Sequence, residues 1–330
     1  MINDAAVSMS APSAFGDHVA IADDVRLPDS IAYIERSEIP EAAYSRYDPA
    51  FASASNGCGC AGPCTDAACP CLLRNGGVSP YDAAGRLVAL LHGDEVDQAL
   101  TECGPGCACG WVCGGAVSAQ GLRRRVRLER RLGAGVAAVA AERIPRASFV
   151  CEYAGEYLTR EEASARLRRY DGAPPGDPGH ALLVIREVLP SGAASLRVSV
   201  DATRRRNAAG FFNHRCQPPH GSTRTSLHAG AHLCCRRGPR PGCARALTAP
   251  RPAPPRPRRR CSCDGGSLAL VLIHSQGVLV PRVALFARRD ILPGEELTFS
   301  YGPPNPNPRG RRCTCANVGC LGYLPAEPGV

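Results

Sequence analysis

The sequence predicts a mainly β fold of short strands with few short helices, flanked by cysteine-rich modules that bind zinc. Three observations predict this class. Short apolar runs alternate with segments rich in glycine and proline, of which the chain has 35 and 30. The amphipathic helical pattern at residues 159–170 is short. Most of the 19 cysteines stand in closely spaced clusters, which is typical of metal ligands.

A soluble intracellular protein is expected from the composition. With 330 residues, the chain can bury a sizeable core. Residues 1–25 lack the basic start and the apolar run of a signal peptide, and the longest aliphatic runs, such as residues 268–273, are too short to span a bilayer. Clustered cysteines in such a protein bind metal more often than they form disulfides, although a disulfide knot is the alternative.

The formal net charge of +9 is concentrated in one segment. Residues 215–261 contain eleven arginines and no acidic residue, so the rest of the chain has a formal charge of −2, that is 9 − 11. Strong, salt-sensitive DNA binding is therefore not expected of the core.

The first part of the chain divides into a polar tail and an extended lead-in. Residues 1–24 are small and polar, and we expect them to be disordered. The apolar residues Ile31, Tyr33 and Ile34 then indicate an extended segment that packs on the cysteine-rich region.

Nine cysteines come next, in two groups that fit a shared zinc cluster. Three tetrahedral zinc ions need about twelve bonds, which nine thiolates supply when three of them bridge two ions each. Since little apolar sequence lies between these cysteines, we expect metal binding and folding to be one event. The cluster is expected to be structural, because no ligand position stays open. The nine residues are Cys58, Cys60, Cys64, Cys69, Cys71, Cys103, Cys107, Cys109 and Cys113.

Apolar patterns in the middle of the chain predict several strands and one helix. Val126 and Leu128 alternate with charged residues, as in a half-buried strand. Thr159 and Glu162 form a capping box at the start of a short amphipathic helix. Further strands are predicted at residues 149–156, 181–185 and 196–200.

Residues 281–302 are predicted to form a buried strand at 283–287, a turn at Pro293 and Gly294, and a second apolar segment. This last segment carries Phe299 and Tyr301. Side chains at i and i+2 lie on the same face of a strand, so both rings are expected to point in one direction. On composition alone, two core aromatic residues would explain this pattern, and only the other motifs favour a functional site.

Four short motifs together resemble one family. They are E-Y-A-G-E at 152–156, D-A-T-x3-N at 201–207, F-F-N-H at 211–214 and F-S-Y at 299–301. With cysteine clusters on either side, they resemble the SET-domain protein lysine methyltransferases of the SU(VAR) type, and most closely the plant SU(VAR)-related branch. The resemblance implies a SET-domain β-fold of small pseudoknotted sheets between two zinc modules. It predicts a pre-SET zinc-cluster domain at 25–121, a SET domain at 122–302 and a post-SET zinc module at 303–330.

This resemblance implies a histone-lysine N-methyltransferase that uses S-adenosyl-L-methionine and acts in the nucleus, on chromosomes. The implied partner is a histone tail, with lysine-9 of histone H3 as the site by analogy, added as a strand beside the post-SET segment. Tyr301 would be the central catalytic residue and would orient the amine, Tyr153 would line the channel, and Phe299 would leave room for a di- or trimethylated product. The implied cofactor-binding residues are Gly133, Ala134, Gly135, Asn213, His214 and Tyr301.

The resemblance also implies about four structural zinc ions. In the family, nine pre-SET cysteines hold three ions in a triangle. Cys313, Cys315 and Cys320 have the spacing of the post-SET site and need a fourth ligand, which the family takes from an N-H-S-C motif. Cys263 is the expected equivalent, and Cys216 is the alternative.

The chain departs from the family pattern at three positions and is interrupted once. Ala134 stands where the family has tryptophan, Arg206 where it has glycine, and Gly210 where it has arginine. Residues 215–261 separate N-H from S-C-D-G-G, and we interpret them as an insertion. The alternatives are an unspliced intron and a true arginine-rich loop that binds nucleic acid. A second function therefore stays open, a catalytically weakened, zinc-binding protein that binds chromatin or nucleic acid.

Overall fold

The computed structural model is built mostly of short strands, as predicted. It describes residues 17–38, 57–65, 67–94, 96, 98–109, 113–131, 135–171, 180–188, 195–215, 266–275, 280–301, 312–313, 315, 320 and 322–324. The strands are β1 (Val19–Ile21), β2 (Ala32–Tyr33), β3 (Leu100–Glu102), β4 (Val126–Arg131), β5 (Gly135–Ala140), β6 (Phe149–Glu152), β7 (Glu156–Leu158), β8 (Leu182–Val188), β9 (Ser195–Asp201), β10 (Arg205–Arg206), β11 (Asn213–His214), β12 (Leu268–Ser275), β13 (Arg282–Ala287) and β14 (Thr298–Phe299). The helices are α1 (Pro70–Leu73), α2 (Val88–His92) and α3 (Arg160–Asp171), with 3-10 turns at Ser118–Gln120 and Ala208–Phe211. In this part of the chain, no helix is long and apolar enough to cross a membrane.

The strands form five small sheets within the described part of the chain. Their orders are β1-β4-β5, β10-β2, β11-β14, β3-β12-β13-β6 and β7-β9-β8. Antiparallel pairs form most of the larger sheets, whereas β1 with β4, β2 with β10, β3 with β12, and β11 with β14 are parallel pairs between distant segments. The fold is thus held together by short pairings of long sequence separation.

The prediction that residues 1–24 are disordered is wrong for residues 17–24. Val19 lies opposite Val126 in the parallel β1–β4 pair, and the Val126 amide donates to the carbonyl of His18 at 2.9 Å. Val19 and Val25 are both 3% exposed. Two buried valines and a strand pairing outweigh the polar composition of this segment. Residues 1–16 lie outside the described residues.

The largest sheet joins the cysteine-rich region to the rest of the chain. β3 adds in parallel to β12, with Leu100 opposite Ile273. Below this sheet, Tyr81 and Leu87 pack in one cluster with Phe149 and Phe286, whose rings are 5.4 Å apart. The predicted strand at 283–287 is confirmed as β13. Tyr81 and Leu87, which lie between the two cysteine groups, therefore share one hydrophobic cluster with the later sheets, whereas most of the cysteines form a separate cluster.

The single strand predicted at residues 149–156 is wrong, because the chain changes sheets there. β6 pairs with β13 and ends at Glu152, whereas β7 begins at Glu156 and pairs with β9. Gly155 lies in the crossing, where a Cβ atom would come within 2.7 Å of the Asp201 carbonyl oxygen. Only glycine allows this close approach between two backbone segments.

Helix α3 begins at the predicted capping box. The Thr159 amide donates to Glu162 Oε2 at 2.9 Å, and the Glu162 amide donates to Thr159 Oγ1 at 3.2 Å. On the buried side of the helix, Arg166 donates to Asp201 Oδ2 at 2.7 Å and to Glu156 Oε2 at 2.9 Å. These contacts fix α3 on β7 and β9. Asp201 is 1% exposed, and burial opposes its charge, but hydrogen bonds from Thr203, Arg166 and Tyr170 leave its pKa below the ordinary value.

Candidate active site

The candidate site is built on a parallel pairing of two very short strands. In the β11–β14 pair, Asn213 lies opposite Thr298 and His214 lies opposite Phe299. The Arg215 amide extends the pairing by donating to the Phe299 carbonyl at 3.0 Å. This pairing brings predicted cofactor-binding residues next to predicted catalytic residues from a distant part of the chain.

Three predicted catalytic aromatic residues lie together at this pairing. The ring centroids of Phe299 and Tyr301 are 4.9 Å apart, and those of Phe299 and Tyr153 are 5.9 Å apart with the planes at 70°. His214 joins them, with its ring 5.0 Å from that of Tyr301. Phe299 and Tyr153 are 1% and 4% exposed. The contact between the Phe299 and Tyr301 rings agrees with the prediction that both rings point in one direction.

Backbone carbonyls hold both tyrosine hydroxyls of the site. The Tyr301 hydroxyl donates to the carbonyl of Phe212 at 2.8 Å, and the Tyr153 hydroxyl donates to the carbonyl of Ala181 at 2.6 Å. Burial raises the pKa of Tyr153 above its ordinary value, so this phenol stays protonated at neutral pH. Each hydroxyl thus keeps its proton directed at a carbonyl and can present its lone pairs elsewhere.

His214 is held as a neutral imidazole. Its Nδ1 accepts the backbone N–H of Tyr301 at 3.1 Å, which places the ring proton on Nε2. Burial lowers the pKa of His214 from 6.5 to about 4. An uncharged ring beside Tyr301 suits a ligand that carries a positive charge.

Asn213 and Glu296 form a polar contact that the sequence reasoning did not include. Asn213 Nδ2 donates to Glu296 Oε1 at 2.7 Å. Glu296 precedes β14 and bridges to Val139 of β5, so it joins the two segments beside the site. Its position in the P-G-E-E run, just before the aromatic segment, was the signal that could have identified it.

The other predicted cofactor-binding residues belong to the β4–β5 hairpin. Gly135 begins β5 with a φ of +74°, which favours glycine, and lies opposite Arg131. Farther along β5, the Ala138 carbonyl accepts the Leu297 amide at 2.8 Å. The strand of Gly135 therefore runs along the segment that leads into β14. Gly133 and Ala134 lie outside the described residues.

Asn207, from the D-A-T-x3-N motif, binds backbone atoms around the site with its side chain. Asn207 Nδ2 donates to the Glu152 carbonyl at 2.7 Å, and Asn207 Oδ1 accepts the Ala209 amide at 3.0 Å as the cap of the 3-10 turn. Asn207 is 1% exposed. It thus connects the segment that carries Tyr153 to the turn that precedes β11.

The nine predicted pre-SET cysteines gather around one centre. The Cys58 and Cys64 sulfurs are 3.5 Å apart, and the Cys64 and Cys103 sulfurs are 3.6 Å apart. Cys113 joins through Cys103, at 3.3 Å. Cys58, Cys64 and Cys103 occur in more than one group of four. These groups, each with its sulfurs within 4.8 Å of one another, are Cys58-Cys71-Cys103-Cys107, Cys58-Cys64-Cys103-Cys109 and Cys58-Cys60-Cys64-Cys69.

A second cysteine group lies near the C-terminus. The sulfurs of Cys313, Cys315 and Cys320 are within 4.8 Å of one another, as the predicted spacing requires. Both groups of sulfurs could hold a metal ion. Cys263 and Cys216, the two candidates for a fourth ligand of this group, lie outside the described residues, as does most of the predicted insertion at 215–261.

Two family models match the chain. The model of the pre-SET motif matches residues 17–115, and the model of the SET domain matches residues 135–236. The second match ends inside the arginine-rich segment, so it does not include Phe299 and Tyr301.

Curated and solved proteins resemble the chain over most of its length. Histone-lysine N-methyltransferase SUVR3 of Arabidopsis thaliana is 35% identical over 237 residues, which cover 70% of this chain and 54% of SUVR3. The methyltransferase domain of human SETMAR matches with a TM-score of 0.62 at 22% identity and covers 93% of both chains. KRYPTONITE, in complex with mCHH DNA, an H3(1–15) peptide and SAH, matches with a TM-score of 0.58 at 23% identity and covers 93% of this chain and 50% of its own. The chain thus spans about half the length of SUVR3.

Proposed function

Because the chain belongs to the SET-domain family, with a pre-SET motif and the plant SU(VAR)-related proteins among its relatives, we propose that it is a histone-lysine N-methyltransferase. The reaction moves a methyl group from S-adenosyl-L-methionine to the side-chain amine of a lysine. The observation that carries this proposal is the β11–β14 pairing, which joins Asn213 and His214 to Phe299 and Tyr301. The name of SUVR3 and the SAH-containing complex of KRYPTONITE support it.

The cofactor is proposed to lie against Asn213, His214 and Tyr301, with Gly133, Ala134 and Gly135 beside it. S-adenosyl-L-methionine supplies a methyl group on a positively charged sulfur. The uncharged His214 ring does not repel that charge, because burial keeps its pKa near 4. The carbonyl oxygen of Phe212, which accepts the Tyr301 hydroxyl, places a partial negative charge next to that hydroxyl.

Tyr301 and Tyr153 are proposed to position the amine. The Tyr301 hydroxyl directs its proton at the Phe212 carbonyl, so its lone pairs can accept an N–H of an uncharged lysine. The Tyr153 hydroxyl is fixed on Ala181 and lines the same space. Orientation and exclusion of water are the main needs of this reaction, and the buried rings of Tyr153 and Phe299 provide both. Phe299 has no hydroxyl to hold a water, which leaves room for a second or third methyl group.

The pre-SET cysteines are proposed to hold three zinc ions, with Cys58, Cys64 and Cys103 as the bridging ligands. These three sulfurs recur among the groups of four, which is the expected behaviour of shared ligands. Each bridge would then serve two ions, and the other six cysteines would serve one ion each. A fourth ion is proposed on Cys313, Cys315 and Cys320 with Cys263, which gives about four structural zinc ions.

The substrate is proposed to be the tail of histone H3, with lysine-9 as the site by analogy. KRYPTONITE in complex with an H3(1–15) peptide supports a histone peptide as the ligand. The peptide would add as a strand between the SET core and the post-SET segment. Such a substrate implies action in the nucleus, on chromosomes and chromatin.

Methyl transfer to peptides tests this function directly. Purified, zinc-loaded protein is incubated with radiolabelled S-adenosyl-L-methionine and H3 tail peptides that carry or lack lysine-9. We expect label in the lysine-9 peptide, and its loss in the Tyr301→Phe variant with cofactor affinity nearly unchanged, because the hydroxyl acts on the reacting groups. Tyr81→Phe is the matched control, since it removes a buried hydroxyl bonded to Glu102 in another part of the core. Wild-type turnover in Tyr301→Phe would exclude Tyr301 from the mechanism.

Deletion of residues 215–261 tests whether the insertion is foreign to the site. If Cys263 is the zinc ligand, the deletion restores N-H-S-C-D-G-G, keeps the zinc content and raises cofactor affinity. If the deletion instead loses zinc, and Cys216→Ser does the same in the full chain, then Cys216 is the ligand and the segment is part of the domain.

A further inference from the structure

Arg206 is a buried arginine that holds two carbonyls of the backbone. Its Nη1 donates to the Gly210 carbonyl at 3.1 Å, and its Nη2 donates to the Thr203 carbonyl. The guanidinium carbon lies 4.9 Å from the centroid of the Phe211 ring, in a cation–π contact. The residue is only 9% exposed.

No ion pair explains why this charge is buried. Among the residues that the structure describes, no carboxylate lies within ion-pair distance of Arg206, and the nearby Asp201 pairs with Arg166 at 2.7 Å. Burial lowers the pKa of Arg206, although Tyr153, Asp201, Tyr301 and Tyr170 lie around it and favour its charge. A buried guanidinium with neutral partners is costly, so its place in the site needs another reason.

The two carbonyls that Arg206 holds belong to the segments that fix the tyrosine hydroxyls. On one side, Thr203 Oγ1 accepts the Ala181 amide at 3.1 Å, and the Ala181 carbonyl accepts the Tyr153 hydroxyl at 2.6 Å. On the other side, Gly210 is two residues before Phe212, whose carbonyl accepts the Tyr301 hydroxyl at 2.8 Å. Arg206 therefore bridges the supports of both hydroxyls.

Gly210 leaves the space that Arg206 fills. A Cβ atom on Gly210 would lie 2.7 Å from Arg206 Cδ, 3.0 Å from its Cβ and 3.2 Å from its Nε. Any side chain at 210 would thus meet the arginine stem. The Arg206 side chain thus occupies the volume that a side chain at 210 would enter. With glycine at 206, this volume would be free for a side chain at 210.

We propose that Arg206 is a positioning residue of the methyl-transfer site, and that positions 206 and 210 share one space for one guanidinium group. The proposal rests on the proposed function for its catalytic meaning. It also explains the two departures from the family pattern at 206 and 210 as one exchange, because glycine and arginine have traded places around the same volume.

Three variants test the exchange by kcat, KM, cofactor Kd and thermal unfolding. Arg206→Met keeps the apolar stem and removes the guanidinium, and we expect kcat to fall at least about tenfold with cofactor Kd changed less than about threefold, since small misplacements of reacting groups are costly. Gly210→Arg alone forces two arginines into one space and is expected to lose both stability and kcat. The double variant Arg206→Gly with Gly210→Arg is expected to recover most of the kcat and the stability.

Arg204→Met is the matched control, because Arg204 is an exposed arginine just before β10. Its backbone carbonyl, which accepts the Ala32 amide, is kept in this variant. Wild-type kcat in Arg206→Met overturns the positioning role. A double variant no more stable and no more active than Gly210→Arg overturns the shared space. If the wild type shows no methyl transfer, the proposed function and the positioning role both fail. The thermal stability of the double variant still tests the shared space at positions 206 and 210, because that measurement does not depend on activity.

Discussion

The buried His214 predicts that mild acid destabilises this protein through one identifiable side chain. The perturbation is a change from pH 7 to pH 5, compared between wild type and His214→Asn. Asparagine does not titrate, and its Oδ1 can accept the Tyr301 amide that His214 Nδ1 now accepts at 3.1 Å. The variant thus keeps the hydrogen bond and loses the proton equilibrium.

The size of the effect depends on the pKa of His214. Burial lowers it from 6.5 to about 4, so the unfolded chain binds a proton at a higher pH than the folded chain does. The stability that the neutral ring contributes is fully present above pH 6.5 and is lost as the pH falls towards 4. Each pKa unit corresponds to about 1.4 kcal/mol, so the full loss is about 3 kcal/mol, of which about 2 kcal/mol is reached at pH 5.

Denaturant unfolding of both proteins at pH 7 and pH 5, in buffer with zinc, measures this loss. Zinc thiolates also bind protons in acid, but that effect is common to both proteins and cancels in the difference between them. We expect wild type to lose about 2 kcal/mol more than His214→Asn over this interval. Equal losses would mean that His214 is not a buried neutral histidine, and would remove the argument that it tolerates a cationic ligand.

Three further predictions concern the product, the metal and the core. Phe299→Tyr should shift the product towards monomethyl-lysine, because a hydroxyl can hold a water in the space for further methyl groups; mass spectrometry of the peptide that shows an unchanged product distribution would contradict this role. Elemental analysis of folded, reduced protein should find about four zinc ions per chain, and one ion or none would exclude the shared cluster. Phe286→Ala should cost about 3–5 kcal/mol in the free energy of unfolding, since Phe286 is 0% exposed and contacts Tyr81 and Phe149. The exposed Leu292→Ala is its control and should change stability by less than about 0.5 kcal/mol in the same denaturant unfolding, whereas a similar loss in both variants would contradict the shared core.

Patterns that repeat over several residues predicted their elements well. Val126 and Leu128, which alternate with charges, are both 0% exposed in β4. The capping box at Thr159 and Glu162 has both of its hydrogen bonds. In each case the information is local, because a strand or a helix start needs only its own residues to specify it.

Pairings between very short strands could not be predicted in the same way. β1 has three residues and β11 has two, so neither has a period to read, and each is fixed by a partner far along the chain. The break between β6 and β7 could not be predicted either, because it too depends on strands far along the chain: β13 for β6 and β9 for β7. The sequence F-V-C-E-Y-A-G-E at residues 149–156 predicts one strand, whereas the close approach of Gly155 to Asp201 marks the place where the chain passes into another sheet. The cluster of Tyr153, Phe299 and Tyr301 could be predicted only from the motifs that resemble the family, because Tyr153 lies far from the other two residues in the sequence.

The dependence of the site on backbone atoms explains how its sequence can vary. The acceptors of the Tyr153 and Tyr301 hydroxyls are the carbonyls of Ala181 and Phe212, which are present with any side chain at those positions. What the site requires is that these carbonyls keep their places. Arg206 holds the neighbouring carbonyls of Thr203 and Gly210, and under the proposed exchange a guanidinium at residue 210 would serve the same two segments. The same reasoning applies to the arginine-rich segment, which begins at Arg215. Because the Arg215 amide donates to the Phe299 carbonyl at 3.0 Å, the first residue of that segment still extends the β11–β14 pairing through a backbone atom.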